Sequence, residues 1–196
     1  MLNYKDFIRS YTKLQCLSFV PEIRLFLNGE KTLHNILKQE LGSETPRPYW
    51  SQSWAGGLAL SRYIIDNPSI VQNKHIIDFC SGSGVVGIAA GFSGAKRVTC
   101  VDTDPIALCA SLLNAKANGV IVDTAEQMVG GDLVLAGDPE VLPCVFDTLR
   151  NVDFYLGCPV RNKEYIQGFD VVRQFVIDTE EDSNIDTYIL RSVRKR

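Results

Sequence analysis

The residues best suited to chemistry lie in one short segment, His75-Ile-Ile-Asp-Phe-Cys-Ser-Gly-Ser-Gly-Val85. In this segment an apolar run ends at Asp78 and passes through a turn with Gly82 and Gly84 into a helical pattern. Glycine lets the backbone adopt positive φ and approach a ligand closely, and a helix N-terminus offers N–H donors and a partial positive charge. The pattern therefore predicts a ligand-binding turn between a strand and a helix.

Two classes of nucleoside ligand use such a turn. Gly82-Ser-Gly-Val-Val-Gly87 matches the G-x-G-x-x-G string of dinucleotide sites, in which the helix end holds a pyrophosphate. The second class is nucleosides that carry a methionine moiety, and Asp78 favours this class. A carboxylate would repel a pyrophosphate but can pair, directly or through water, with the ammonium group of a methionine moiety. Asp102 follows Gly82 by 20 residues, where a carboxylate can accept hydrogen bonds from ribose hydroxyls in either class.

The elements that must position these residues follow an alternating pattern. From Leu58 onward, short β-type runs alternate with helical patterns, which predicts βαβ units and a mostly parallel sheet. Asp104-Pro105 predicts the start of one helix, with Asp as N-cap and Pro at the first position, and Asn118-Gly119 predicts its end. The predicted strands are residues 75–79, 97–101, 120–123, 133–136, 153–156, 175–178 and 187–190. An acidic loop joins the last two, so we expect the final strand to be antiparallel.

The N-terminal part has a different composition. Residues 1–41 are predicted as two short helical segments around Pro21, and residues 43–57, which are rich in Pro, Ser, Trp and Gly, as an ordered loop. We expect residues 1–57 to be part of the same domain as a core formed by residues 58–196.

Composition narrows the possible partners. The net charge is −3 over 196 residues, and Lys and Arg cluster only in residues 191–196, so nucleic acid is a weaker expectation than a protein or a small molecule. Six cysteines without a C-x-x-C pair predict reduced thiols and no metal site. No signal peptide and no long apolar stretch is present in the sequence, which predicts a cytoplasmic protein without a membrane anchor. The sequence leaves the oligomeric state open.

Three segments of the chain resemble the core of the class I S-adenosylmethionine-dependent methyltransferases. They are Asp78-Phe-Cys-Ser-Gly-Ser-Gly84, Val101-Asp-Thr-Asp-Pro105 and Asn114-Ala-Lys-Ala-Asn-Gly119. They are most similar to the branch that contains the ribosomal protein L11 and lysine methyltransferases. Upstream, Pro48-Tyr-Trp-Ser-Gln-Ser-Trp-Ala-Gly-Gly-Leu-Ala-Leu60 resembles the Pro-Tyr-Trp…Trp-x-Gly-Gly-x-Ala-Leu segment of the electron transfer flavoprotein β-subunit lysine methyltransferases, which bacterial members share.

The resemblance implies a fold, a cofactor and a set of site residues. The fold is a Rossmann-like α/β class I methyltransferase, with a seven-stranded, mostly parallel sheet, an antiparallel last strand and a short N-terminal helical extension. The cofactor is S-adenosylmethionine. Asp138 would face the incoming amine as the catalytic residue. The residues implied for cofactor binding are Trp54, Asp78, Cys80, Ser81, Gly82, Ser83, Gly84, Asp102 and Thr103.

The chain departs from the family pattern on the substrate side. Where relatives show Asp-x-x-Tyr or a near variant after the fourth strand, residues 138–141 read Asp-Pro-Glu-Val, and where relatives read Gly-Asp-Pro-Gly-Arg, residues 157–161 read Gly-Cys-Pro-Val-Arg. Glu140 is a second, poorer candidate for orienting the amine. These departures bear on the identity of the substrate more than on the cofactor.

The resemblance implies methylation of a lysine in a protein such as an electron transfer flavoprotein subunit. The alternatives are a small-molecule N-methyltransferase and a non-catalytic cofactor-binding or scaffold protein of the same fold. A nucleic-acid base methyltransferase fits less well, because Asp138-Pro139-Glu140 lacks the second proline and the stacking aromatic of the adenine-N6 type. An NAD-dependent oxidoreductase fits least. The number of methyl groups transferred stays open.

Overall fold

A computed structural model describes residues 2–28, 30–42, 44–139, 152–159, 169–179 and 182–192. The helices in these ranges are α1 (Tyr4–Tyr11), α2 (Glu30–Leu41), α3 (Ala55–Asp66), α4 (Val85–Phe92) and α5 (Pro105–Ala117), with 3-10 turns at Tyr49–Ser51 and Pro68–Ile70. The strands are β1 (Lys13–Cys16), β2 (Arg24–Leu27), β3 (His75–Phe79), β4 (Arg97–Val101), β5 (Asp123–Ala125), β6 (Leu133–Gly137), β7 (Phe154–Pro159), β8 (Asp170–Ile177) and β9 (Ile185–Ser192).

The central sheet has seven strands in the order β5-β4-β3-β6-β7-β9-β8. Pairings from β5 through β7 are parallel, whereas β9 runs antiparallel to both β7 and β8. The predicted fold class, including the antiparallel last strand, is confirmed. In a parallel sheet all carboxyl ends lie at one edge, so the residues that follow β4, β3 and β6 are brought together there.

One predicted strand is wrong in its position. Residues 120–123 were expected to form the third core strand, but β5 begins only at Asp123. Gly119 adopts a φ of 70°, and the N–H of Val120 donates to the carbonyl of Ala115. These residues therefore close the end of α5 before the chain can pair with β4.

The N-terminal segment contains a hairpin that the sequence pattern did not predict. Two helices are present, but β1 and β2 pair antiparallel between them, with Lys13 opposite Leu27. Pro21 lies in the turn of this hairpin, which separates the two helices. Strands of four residues are too short to give a clear period-2 signal, although Leu25 and Leu27 are buried on one face.

The predicted loop at residues 43–57 already contains the start of α3. This helix begins at Ala55, so the predicted boundary between residues 57 and 58 falls inside it, and the division into segment and core stays a prediction. The helix is apolar on most sides because it packs across β6, β7 and β9. Its first turn reaches the carboxyl edge of the sheet.

Buried side chains cover both faces of the sheet, and a third cluster lies outside it. Trp50, 1% exposed, anchors that third cluster between α5 and the N-terminal helices, together with Phe7, Ile8, Leu33 and Leu37. This packing fixes the tryptophan-rich segment beside α5. Among the helices of the described ranges, none has the length and apolar character needed to cross a lipid bilayer.

Candidate active site

The turn after β3 has the backbone geometry that its glycines suggest. Gly82 and Gly84 adopt φ values of 50° and 78°, and Gly84 is the N-cap of α4. A Cβ on Gly84 would lie 3.0 Å from the Cβ and the Oγ of Ser111, so both the conformation and the space favour glycine. Around Gly82 the nearest atom to a built Cβ is the Cα of Trp50 at 3.7 Å, an ordinary contact distance, so the positive φ rather than crowding favours glycine there.

Asp78 lies behind the turn. Its side chain is 1% exposed, and Oδ2 accepts a 2.8 Å hydrogen bond from the N–H of Gly87 in the first turn of α4. Burial, with a smaller contribution from the charge of Asp102, raises the pKa of Asp78 to about 8, although the bond from Gly87 opposes this shift. Asp78 therefore supports the start of α4 from behind the turn rather than serving as an exposed contact residue.

Asp102, at the end of β4, reaches the same turn. Its Oδ2 accepts from the N–H of Gly82 at 2.8 Å, and its Oδ1 accepts from the N–H of Asp104 at 3.0 Å. The predicted proximity of this acid to the glycine turn is therefore present in the structure. A carboxylate has about four lone-pair sites, so these two bonds leave it able to accept from further donors such as hydroxyls.

The remaining residues of the predicted cofactor set surround this contact. Ser81 and Ser83 are buried within the turn, whereas Cys80 and Thr103 are exposed on either side of it. Cys80 adopts a φ of 55°, a left-handed conformation that L residues seldom take. The structure thus brings Cys80 to Gly84 together with Asp102 and Thr103 in one place.

Two side chains of α5 support the turn and were not identified from the sequence. Ser111 Oγ donates to the carbonyl of Gly82 at 3.1 Å and lies 3.4 Å from Ser81 Oγ. Asn114 is fully buried, and its Nδ2 donates to the carbonyl of Ser83 at 2.9 Å. The sequence signal that could have indicated this face of α5 is the helical spacing of Asn114 and Asn118 within the segment that resembles the family.

Acidic groups concentrate around the turn. The charge of Asp102 raises the pKa of both Asp78 and Asp104, although burial is the larger cause in each case. Asp104 also has its predicted place as the N-cap of α5, where its side chain accepts from the N–H of Ile106. A site with these carboxyl groups favours a cationic or neutral ligand over a diphosphate.

Trp54 and Trp50 differ in their surroundings. Trp54 is half-buried at the N-cap of α3, where its Nε1 donates to the carbonyl of Tyr49 at 2.8 Å and its ring meets the Tyr49 ring edge-on. Trp50 is buried in the cluster against α5. Trp54 is therefore the tryptophan with a ring surface close to the carboxyl edge.

Asp138 follows β6 and contacts the first turn of α3. It adopts a φ of 56°, its Oδ2 accepts from the N–H of Gly56 at 3.3 Å, and its own N–H donates to the carbonyl of Gly157 at 2.9 Å. A Cβ on Gly56 would lie 2.7 Å from Asp138 N, and one on Gly137 would lie 2.6 Å from Gly57 Cα. Only glycine permits this backbone-to-backbone crossing of α3 over β6 and β7, which sets where Asp138 stands.

The remaining ionisable candidates in the described ranges are Cys158, His34 and His75, and each interacts with other groups of the protein. Burial and the charge of Asp138 raise the pKa of Cys158 to about 11, which keeps this thiol protonated. His34 Nε2 lies 3.1 Å from the carbonyl of Thr45, and His75 Nε2 lies 2.9 Å from Thr99 Oγ1. Within the described ranges, no group of three or more His, Cys, Asp or Glu side chains is arranged to hold a metal. Glu140 and residue 161 lie outside the described residues.

Comparisons with known proteins agree with this architecture. The family model for ribosomal protein L11 methyltransferase (PrmA) matches residues 59–139. The electron transfer flavoprotein beta subunit lysine methyltransferase of Rattus norvegicus is 51% identical over 120 residues, which are 61% of this chain and 47% of that protein. The protein of the same name from Xenopus laevis is 36% identical over 141 residues, 68% of this chain and 57% of its own length. The chain thus spans about half the length of these curated relatives.

Solved structures show the same fold at low identity. A ribosomal protein L11 methylase from Lactobacillus delbrueckii subsp. bulgaricus aligns with a TM-score of 0.52 at 18% identity, covering 67% of this chain and 75% of that one. A tRNA (uracil-54, C5)-methyltransferase from Pyrococcus abyssi aligns with a TM-score of 0.53 at 17% identity, covering 70% of this chain and 38% of that one. Sheet order, family model and sequence similarity together show a Rossmann-like methyltransferase fold and a resemblance to the ribosomal protein L11 methyltransferases and the electron transfer flavoprotein beta subunit lysine methyltransferases.

Proposed function

We propose that this chain is an S-adenosylmethionine-dependent methyltransferase that acts on a lysine side chain of a protein. The observation that carries the proposal is the meeting of the glycine turn, Asp102 and Asp138 at the carboxyl ends of three neighbouring strands, β3, β4 and β6. The curated relatives named above are protein lysine methyltransferases. Two structural neighbours were solved with S-adenosylhomocysteine or SAH, which supports the same class of cofactor.

The residues present fit this cofactor better than a dinucleotide. Asp102 can accept from ribose hydroxyls while it holds the turn. The carboxylate of Asp102 at the turn opposes a pyrophosphate but suits a positively charged sulfonium and ammonium. The half-buried ring of Trp54 can add cation–π attraction of about 0.5–2 kcal/mol to a sulfonium.

The protein's own part in the reaction is to bind, orient and desolvate. The cofactor supplies an electrophilic methyl group on a positive sulfur when it is bound. A lysine amine with a pKa near its reference value of about 10.4 is mostly protonated and cannot attack, so the site must favour the neutral amine. Asp138 would attract the ammonium, orient its nitrogen and accept its proton or pass it to water, and the positive charge of a bound cofactor would favour the neutral amine. Alignment of the amine with the methyl group supplies much of the rate.

The substrate class is the part of the proposal that rests most on the relatives. An electron transfer flavoprotein subunit is the substrate that their names suggest. The Asp-Pro sequence at residues 138–139, without the family aromatic, favours a substrate surface that differs from theirs. A small-molecule N-methyltransferase and a non-catalytic cofactor-binding protein are the alternatives. The proposal also includes a cytoplasmic location and no nucleic-acid partner, and it leaves the oligomeric state open.

Ligand binding followed by labelling tests the proposal. Titration calorimetry and thermal shift with S-adenosylmethionine, S-adenosylhomocysteine and NADH should show binding of the first two only. Incubation with cofactor carrying a labelled methyl group and a host lysate should then label a protein band, and mass spectrometry should locate the label on a lysine. Binding without any labelled protein favours the small-molecule or non-catalytic alternatives, and binding of NADH alone contradicts the proposal.

Asp102→Asn should weaken binding of S-adenosylhomocysteine by about 10- to 100-fold. Hydrogen bonds to a charged acceptor contribute about 1.5–3 kcal/mol, and the substitution removes the charge while it keeps the shape. Asp123→Asn is the matched control, since Asp123 pairs with Arg97 at the exposed amino end of β5. Equal affinities of the two variants would remove Asp102 from the binding site.

Asp138→Ala should lower turnover by about 100-fold and cofactor affinity by less than about threefold, because it acts on the amine rather than on the nucleoside. Asp138→Asn separates charge from structure, since an amide oxygen can still accept from the N–H of Gly56. Full turnover of Asp138→Asn on the identified substrate would show that the negative charge is not needed.

A further inference from the structure

The N-terminal hairpin is held to α5 by two asparagines one helical turn apart. Asn118 Oδ1 accepts from the N–H of Arg24 at 2.9 Å, and Asn118 Nδ2 donates to the carbonyl of the same residue at 2.6 Å. Asn114 Oδ1 accepts from the N–H of Phe26 at 2.7 Å. Both side chains thus form hydrogen bonds with backbone groups of β2 that face α5.

Asn114 differs from Asn118 because its other end reaches the glycine turn. While Oδ1 holds β2, Nδ2 donates to the carbonyl of Ser83 at 2.9 Å, and the side chain is completely buried. One amide group therefore bridges the hairpin and the turn. Asn118 uses Nδ2 for the carbonyls of Arg24 and of Asn114, and neither bond touches the turn.

The carbonyl held by Asn114 belongs to the peptide that sets the start of α4. The N–H of the same peptide, at Gly84, donates to the carbonyl of Ser81 at 2.7 Å. This peptide is fixed at both its oxygen and its nitrogen, so it cannot rotate without breaking one bond. Because Gly84 is the N-cap of α4, its orientation sets the direction of the first N–H groups of that helix.

We propose that Asn114 is a positioning residue for the cofactor turn and that its amide links this turn to the β1–β2 hairpin. The inference rests on the proposed function, because it concerns affinity for the methyl donor. The hairpin packs against α5, and Asn114 connects it to the turn.

The near-isosteric substitution Asn114→Asp gives a pH-dependent readout. A neutral carboxylic acid has one O–H donor and one carbonyl acceptor, so it can replace the amide toward Ser83 and Phe26. An ionised carboxylate has no donor and faces the carbonyl of Ser83, which repels it. Burial raises the pKa of a carboxyl group, so the variant should bind cofactor well at low pH and poorly at high pH.

Other charged or ionisable groups lie near this contact in the wild-type protein as well. They are Asp78 and Cys100 behind the turn, Asp102 at the turn and Arg24 on β2. Each variant is therefore compared with the wild-type protein at the same pH. Asn118→Asp is the matched control, because it makes the same change one turn further along α5 against the same strand.

The measurement is the Kd for S-adenosylhomocysteine by calorimetry at pH 5 and pH 8. The ratio of Asn114→Asp to wild type should be at least about tenfold at pH 8, as expected for about 1.4 kcal/mol, and within about threefold at pH 5. The ratio for Asn118→Asp should stay within about threefold at both. Asn114→Ala, which carries no charge, should lose about tenfold at both pH values. A flat ratio for Asn114→Asp, or one that matches Asn118→Asp, overturns the inference.

Hydrogen exchange of the protein without ligand separates this inference from the proposed function. At pH 8 the amides of residues 81–87 should exchange faster in Asn114→Asp and in Asn114→Ala than in Asn118→Asp. Equal exchange in all the variants overturns the positioning role. Failure of the wild-type protein to bind S-adenosylhomocysteine at either pH overturns the proposed function, and with it the link of Asn114 to cofactor affinity.

Discussion

Gly157→Ala tests whether the crossing of α3 over the strand ends positions Asp138. A Cβ on Gly157 would lie 2.7 Å from the carbonyl carbon of Gly56, 3.1 Å from its Cα and nearer still to its carbonyl oxygen. All of these are backbone atoms, so no side chain can rotate away. Ordinary contact begins at 3.4 Å, and 3.4 − 2.7 means that the carbonyl carbon of Gly56 must move by at least about 0.7 Å, and its carbonyl oxygen by more.

The size of this shift gives two expected effects. Overpacking of a well-packed site costs about 1–3 kcal/mol, and a backbone clash belongs at the upper end, so we expect a loss of about 3 kcal/mol in the free energy of unfolding. For a chain of this size that corresponds to a fall of about 6–12 °C in Tm. Misplacement of a reacting group by about 1 Å can cost about 100-fold in rate, so turnover should fall toward that value through the contact of Gly56 with Asp138.

The assay combines thermal unfolding, methyl transfer and cofactor titration. Gly130→Ala is the matched control, because a Cβ there meets nothing within 4 Å, and it should change Tm by little. Affinity for S-adenosylhomocysteine should change by less than about threefold in either variant, since β7 is not next to β3 or β4. If Gly157→Ala melts and turns over like Gly130→Ala, then α3 tolerates the displacement and the glycine crossing does not position Asp138.

Two further predictions concern the turn itself. Cys80 adopts a φ of 55°, which costs an L residue about 1–2 kcal/mol, so Cys80→Gly should raise the free energy of unfolding by up to about 1 kcal/mol in denaturant titrations, and a decrease would contradict the strain. The pKa of Asp78 is raised to about 8 in the folded protein from its ordinary value of about 3.8, so the folded state binds the extra proton and this group's stabilisation is lost as the pH rises from about 4 through 8. Asp78→Asn should flatten the fall in Tm over that range, and an unchanged pH profile would assign the fall to other groups.

The sheet and the glycine turn were predictable because their determinants are local. The run from His75 to Phe79, its terminal acid and the following glycines each act within a few residues, and the alternation of strands and helices fixes a parallel sheet. The position of Asp102 beside the turn followed from its place at the end of the next strand. Strand ends were less predictable, as the shift of β5 shows, because Gly119 and Val120 serve the end of α5 instead.

The missed features depend on contacts between distant parts of the chain. The bond from Phe26 to Asn114 joins residues 88 apart, and that from Gly56 to Asp138 joins residues 82 apart. Nothing in the local sequence shows that the amide of Asn114 meets two backbone groups, or that Gly157 faces Gly56. The sequence could place Asp78 near the turn, but its burial behind α4 depends on the packing of β3 against that helix.

The two acids proposed to act on the ligand and the amine are held in the same way. Asp102 accepts from the N–H of Gly82, just before α4, and Asp138 accepts from the N–H of Gly56, in the first turn of α3. Helix N-termini stabilise nearby negative charge, so α4 and α3 each favour a carboxylate at this edge of the sheet. The left-handed backbone of Asp138, a conformation that costs about 1–3 kcal/mol, is then maintained by its bonds to α3 and β7. The Trp-x-Gly-Gly segment and the glycine turn therefore perform matching tasks, because each gives one carboxylate a backbone donor and a helix end at the edge where cofactor and amine would meet.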